Sequence, residues 1–193
     1  AEIKGVKMHG EQIKSSSLQD ASIGNGSGCS EHLRMGGTYH VDCYGPDGLL
    51  KWSDDIHNIV TTVGKNDLLD KYLAGSAYTA AWYLGLVSAT GYTSAPVATD
   101  TAASHATWAE DSNYSAATRP AAAWSAASGG SKSLSAAIAF SINATTTIKG
   151  CMLISSSVKG GTAGILYSAG LFSGGDKPVA SGDTLNVSYT AAA

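Results

Sequence analysis

From residue 134 onward, large apolar side chains recur at every second position in segments of strand length. Leu134, Ile138, Phe140 and Ile142 form one such set, Leu185, Val187 and Tyr189 a second, and Ile148 groups with Met152 and Ile154. Period two puts each set on one face of an extended chain, which predicts strands over 134–142, 147–154 and 184–189. A further segment, 165–172, is mostly apolar and of strand length. The breakers between them are Asn143, Lys159-Gly160-Gly161, Gly174-Gly175-Asp176 and Ser181-Gly182-Asp183. Such residues supply positive φ or local side-chain hydrogen bonds where a chain reverses.

Upstream, residues 39–44 alternate and are followed by Gly45-Pro46-Asp47-Gly48 and then Leu49-Leu50-Lys51-Trp52. Proline presets φ and Asp-Gly closes the reversal, so this is the clearest hairpin in the chain. Residues 56–63, rich in β-branched types, predict another strand. A single helix is expected at about 65–74, with Asn66 as its N-cap and Gly75 in the left-handed position after its end. Asp67 and Lys71 lie one turn apart, acid first. Leu68, Leu69, Tyr72 and Leu73 fall on one stripe, which predicts that the helix plugs an open end of the sheets. Residues 80–87 read as a central strand buried on both sides, 88–104 as a surface loop, and 121–125, after Arg119-Pro120, as another strand. With about eight strands the expected fold is all-β, an antiparallel β-sandwich of jelly-roll or Ig-like type with one short α-helix.

The leading residues differ. Glycine and serine are dense over residues 15–37, and Ile3, Val6, Met8, Ile13, Leu18, Ile23 and Leu33 are spaced irregularly. Such a segment cannot bury enough surface to fold alone. The expected organisation is an extended, flexible N-terminal arm over 1–37 and a β-sandwich domain over 38–193. Those seven apolar residues are the candidate partner-binding positions, ordered by a neighbouring molecule.

Composition narrows the function. The 193 residues suffice for one sizeable core, and 44% hydrophobic content with four Trp supports it. Charged residues are only 14% and the formal net charge is −3, against a nucleic-acid groove, which needs clustered Lys and Arg. No run approaches the ~20 apolar residues of a membrane span. Glu2, Lys4 and Lys7 interrupt the apolar core a signal peptide needs, so synthesis in the cytosol without export by the general secretory route is expected. Cys29, Cys43 and Cys151 match no zinc or redox spacing and are expected to be reduced.

Candidate chemistry is sparse. His9, His32, His40, His57 and His105 belong to no HxH, HExxH or Cys/His pair. Ser104 and His105 are adjacent in an extended chain, so their side chains diverge, and His105 is expected to bond the backbone. Asp54-Asp55 reads as a solvated turn, and the Gly-Asp pairs as turns capping the last strands rather than a cation loop. No phosphate-cradling or dinucleotide loop is present. No catalytic, cofactor-binding or metal-ligating residue is assigned. Trp108, Tyr114 and Trp124 are weighed between an exposed patch and half-buried core, with core favoured.

The succession Asn58-Ile59-Val60-Thr61-Thr62-Val63-Gly64, the capped helix, Tyr78-Thr79-Ala80-Ala81-Trp82-Tyr83-Leu84-Gly85-Leu86, Ser104-His105-Ala106-Thr107-Trp108, Gly150-Cys151-Met152-Leu153 and Gly182-Asp183-Thr184-Leu185-Asn186-Val187 resembles a group of small virion proteins of tailed phages and prophages. The resemblance covers residues 39–190 and rests on turn and core positions. Members are capsid decoration (cement) proteins or tail-fibre-like proteins. It implies a non-enzymatic structural protein on the capsid surface of the virion, a homo-oligomer (trimer or dimer) whose partner is the major capsid protein. The alternative is a tail or tail-fibre component that binds host-surface glycan or another tail protein. An extended arm, able to add a strand to a neighbour's sheet edge, tilts the expectation toward cement.

Overall fold

The computed structural model describes residues 34–73, 75, 77 and 81–193. The candidate partner-binding residues Ile3, Val6, Met8, Ile13, Leu18, Ile23 and Leu33 lie outside the described residues, as does Cys29.

The expected hairpin is present. Strand β1 (Gly36–Tyr44) pairs antiparallel with β2 (Leu50–His57). Its turn closes through the Gly48 N–H to the Gly45 carbonyl, 2.9 Å, with Gly48 at φ 76. The Asp47 carboxylate accepts from the Leu49 N–H. On the other side of β1 lies the last strand, β11 (Thr184–Ala192), and along the far edge of β11 run β6 (Ser131–Ser133) and β7 (Ile138–Ser141). The predicted strand over 134–142 is therefore one edge interrupted by an outward excursion, its two ends pairing with the same neighbour.

The second sheet runs β3 (Ile59–Val60), β9 (Leu166–Leu171), β8 (Thr146–Ile154), β4 (Tyr83–Ser88) and β5 (Ala109–Asp111), and β10 (Lys177–Val179) also pairs with β8. Among the described residues all pairings are antiparallel, and the fold is an all-β sandwich with one helix, α1 (Thr62–Leu73). Among the described residues, eleven strands replace the expected eight because several short edge pieces carry no hydrophobic period of their own.

Between the sheets, Tyr39, Val41, Phe140, Leu185 and Val187 meet Leu84, Leu86, Ile148, Cys151 and Leu153. The rings of Tyr39 and Tyr189 lie 4.4 Å apart, and the Tyr39 hydroxyl shares a 2.7 Å hydrogen bond with Ser168 across the layers. A second apolar cluster, with Val87, Met152, Ile154, Leu166 and Trp108, forms on the outer face of the second sheet. Ile148 thus faces away from Met152 and Ile154. Val87 sits opposite Gly150 but Ser88 opposite Ile148, so Lys149 is an extra residue that flips the alternation. The stretch 88–104, expected on the surface, helps cover this cluster: Ala102 is buried, and Asp100 accepts from the Trp108 indole at 2.8 Å and the Val97 N–H at 3.0 Å. Strands β4, β8 and β9 are consequently buried on both faces, which is why they read as near-continuous apolar runs.

Two segments pass between the layers. The predicted strand 56–63 splits: β2 ends at His57, β3 joins the other sheet, and the helix begins by Thr62. Residues 121–125 form isolated bridges rather than a strand, Ala121 to Tyr83 in one sheet and Trp124 to Leu134 in the other.

Candidate functional site

Helix α1 starts earlier than Asn66 predicts because Thr61 is its N-cap. The Gly64 N–H donates to the Thr61 hydroxyl at 3.1 Å, and that hydroxyl donates in turn to the Leu166 carbonyl of β9. Gly64 packs where a Cβ would lie 2.6 Å from the Tyr167 carbonyl oxygen, so its missing side chain permits the approach rather than breaking the helix. The C-terminal reading holds, with Gly75 at φ 65.

Past this anchor the helix is turned inside out. The Asp67–Lys71 pair, 2.9 Å apart, faces the domain, with side chains only 10% and 22% exposed. The apolar stripe faces outward: Leu68 is 37% exposed, Leu69 46%, Tyr72 86% and Leu73 74%. The expected plug is thus contradicted. The end of the sandwich is met by the first turn, where Gly64 packs on Tyr167, while the greasy stripe has no cover among the described residues.

Beside the helix lies an open groove of about 560 Å³. It is lined by Leu68 and Tyr72 of the helix together with Trp82, Trp124, Leu153, Tyr167 and Met35, with Lys132 and the Asp67–Lys71 pair supplying its charges. Trp82 meets the ring of Tyr167 edge-on at 5.4 Å. The lining is mostly carbon, with few polar groups to orient a reacting molecule, and suits an apolar side chain of another molecule.

The titratable groups elsewhere are occupied by structure. Asp54 and Asp55 lie in β2, not in a turn, and point apart. Burial alone raises Asp54, but Lys177, Ser173 and the N–H groups of Asp55 and Gly174 hold it down at about 2. Asp55 bonds His40 at 2.7 Å and raises its pKa; slight burial opposes this and Asp42 adds to it. Asp183 does sit in a Gly-Asp turn beside the last strand, as expected. Burial opposes its ionisation, but the Ala180 N–H and Lys51, 2.6 Å away, lower it overall. His105 bonds the Trp108 carbonyl at 3.0 Å and stacks on its ring, as its loop position predicts. Cys43 and Cys151 are free and buried, and burial pushes the Cys43 thiol up to about 11, so it carries little thiolate at neutral pH. Among the described residues, no group of three His, Cys, Asp or Glu side chains is arranged to hold a metal ion. No described helix is long and apolar enough to cross a membrane.

Sequence reasoning missed two features. One is the buried Arg119–Glu110 pair, 2.7 Å, in which Arg119 also donates to the Ser156 carbonyl and the Gly160 N–H donates to Glu110. A lone Arg before Pro gives no sign of this. The other is the helix orientation, for which the one signal was the Asp67–Lys71 pair beside an apolar stripe. Trp108 and Tyr114 are core, and Trp124 is half-buried against Tyr189. No protein-family model and no curated protein sequence matches the chain.

Proposed function

We propose that this chain is a non-enzymatic phage virion structural protein that binds the outer surface of the capsid shell as a decoration protein, in homo-oligomeric form. The observation that carries the reading is the inverted helix: a contiguous apolar stripe held out to solvent on a rigid sandwich is the surface of a protein that meets protein. The resemblance of residues 39–190 to small virion proteins supplies the particle, and the low content of charged side chains suits close packing on a shell. Most acidic and basic side chains of the described domain are spent on structural ties, which fits a scaffold better than a catalyst. The rival reading, a tail component stacking glycan on aromatics, is weakened because two of its three candidate aromatics, Trp108 and Tyr114, are buried and the third, Trp124, is half-buried.

Electron microscopy of virions carrying the labelled protein tests this: density over the head is expected, and label confined to the tail tip overturns it. Deleting residues 1–33 leaves all of β1 in place, and the truncated domain is expected to stay folded and lose binding to purified heads. Undiminished binding removes the arm from the account.

A further inference from the structure

We infer that the outward stripe of α1 and the groove beside it form a self-complementary surface that packs against a second copy of this chain about a two-fold axis. This goes beyond the capsid reading by naming the occupant of that surface.

The argument begins with shape. Tyr72 and Leu73 form an apolar ridge, 86% and 74% exposed, and the groove lined by Trp82 and Trp124 adjoins it, with Tyr72 belonging to both. Ridge and groove on one face are what an isologous contact requires, since each copy then sets its ridge in the groove of the other. A foreign partner would need a matching groove and a matching ridge side by side; a second copy brings both.

Charge agrees. The helix carries Lys65 and Lys71 against Asp67 and Asp70, so its net charge is zero and two copies can approach without repulsion. Lys71 is already neutralised by Asp67, which leaves the groove without the basic cluster that an acidic partner would require.

Area agrees as well. Taking on the order of 200 Å² for each fully open Leu or Tyr side chain, the four stripe residues present about 500 Å². The groove residues other than Leu68 and Tyr72 add to this, which brings the face to the roughly 600 Å² per partner at the lower end of stable interfaces.

The test is sedimentation velocity on the full-length chain from about 1 to 100 μM, the range in which such an interface assembles. A concentration-dependent dimer is expected. Tyr72→Asp is expected to weaken it at least about 100-fold, because the two-fold axis places the substitution in the contact twice. Circular dichroism checks that the variant is folded; if it is not, the milder Tyr72→Ala/Leu73→Ala pair replaces it, with the same loss expected. A wild-type chain that stays monomeric throughout, or an oligomer that either variant leaves intact, overturns the proposal. Binding to purified heads is read in parallel. A monomeric wild type whose head binding is lost in Tyr72→Asp assigns the surface to the capsid protein and refutes the second copy. A Tyr72-dependent dimer that ignores heads upholds the dimer and refutes the capsid reading.

Discussion

The space between the two sheets and the outer side of α1 are built from the same kinds of residue, leucine, tyrosine and β-branched neighbours, and they meet opposite fates. Between the sheets, Val41, Leu185 and Val187 are wholly buried, and the hydroxyls of Tyr39 and Tyr189 find partners in Ser168 and Asn58. On α1, Leu69, Tyr72 and Leu73 stand in solvent while an ion pair turns inward. Burial of a leucine-sized side chain stabilises by about 1.5–3 kcal/mol, so the first set holds the fold together, while the second leaves that stabilisation unrealised among the described residues. A periodic apolar stripe therefore announces burial without saying whose surface will bury it.

Substitutions separate the two regions, and the largest effect belongs to the inter-sheet core. Phe140→Ala removes a buried ring packed edge-on to Tyr114 at 5.0 Å and is expected to cost about 3–5 kcal/mol in chemical denaturation. A loss under about 1 kcal/mol means that the core is less tightly packed than described.

Next comes the helix anchor. Gly64→Ala drives a Cβ against the Tyr167 backbone, which cannot swing aside, and about 1–3 kcal/mol is expected from the same measurement.

The ties around the core come third, and they depend on pH. Asp54 and Asp183 ionise more readily folded than unfolded, so the stability they contribute is present above about pH 4, their ordinary unfolded value, and is lost as pH falls below it, for Asp54 toward about 2. Asp54→Ala is expected to cost about 1–3 kcal/mol at neutral pH, because it leaves Lys177 and the Gly174 N–H unpaired. Thermal melts between pH 5 and pH 2 are expected to fall less steeply for that variant, and an equal slope would remove Asp54 from the acid response.

The smallest effect on folding belongs to the outer stripe. Leu69→Ser and Leu73→Ser, measured dilute enough to be monomeric, are each expected to change stability by no more than about 0.5 kcal/mol. A loss of core size would show that the stripe is folded inward after all.

What could be read from the sequence divides along physical lines. The β1–β2 hairpin and the alternation of β11 were legible because turn chemistry and period two act locally and one face of that sheet is polar. The phase of β8 was not, since a single extra residue at Lys149 reverses which side chains face inward and nothing in the local pattern marks it. For α1, the closing glycine and the Asp67–Lys71 pair were local and correct. Its start was set by carbonyls of β9 more than a hundred residues away, at Leu166 and Tyr167, and its orientation by Gly64 docking against that same strand. The groove was illegible for the same reason: Trp82, Trp124 and Tyr167 come from three separate segments and meet only once the sheets are stacked.

The claim that the outward stripe of α1 exists to be covered by protein is tested most directly by thiol labelling. With Cys29 replaced by serine and Leu73 by cysteine, maleimide reacts at position 73, since Cys43 and Cys151 are buried. The rate is measured in dilute solution, in concentrated solution and on purified heads. Fast labelling when dilute and at least about tenfold protection in one of the other two states is the predicted result, because reaction requires an accessible thiolate. An equally fast rate in all three states would contradict it.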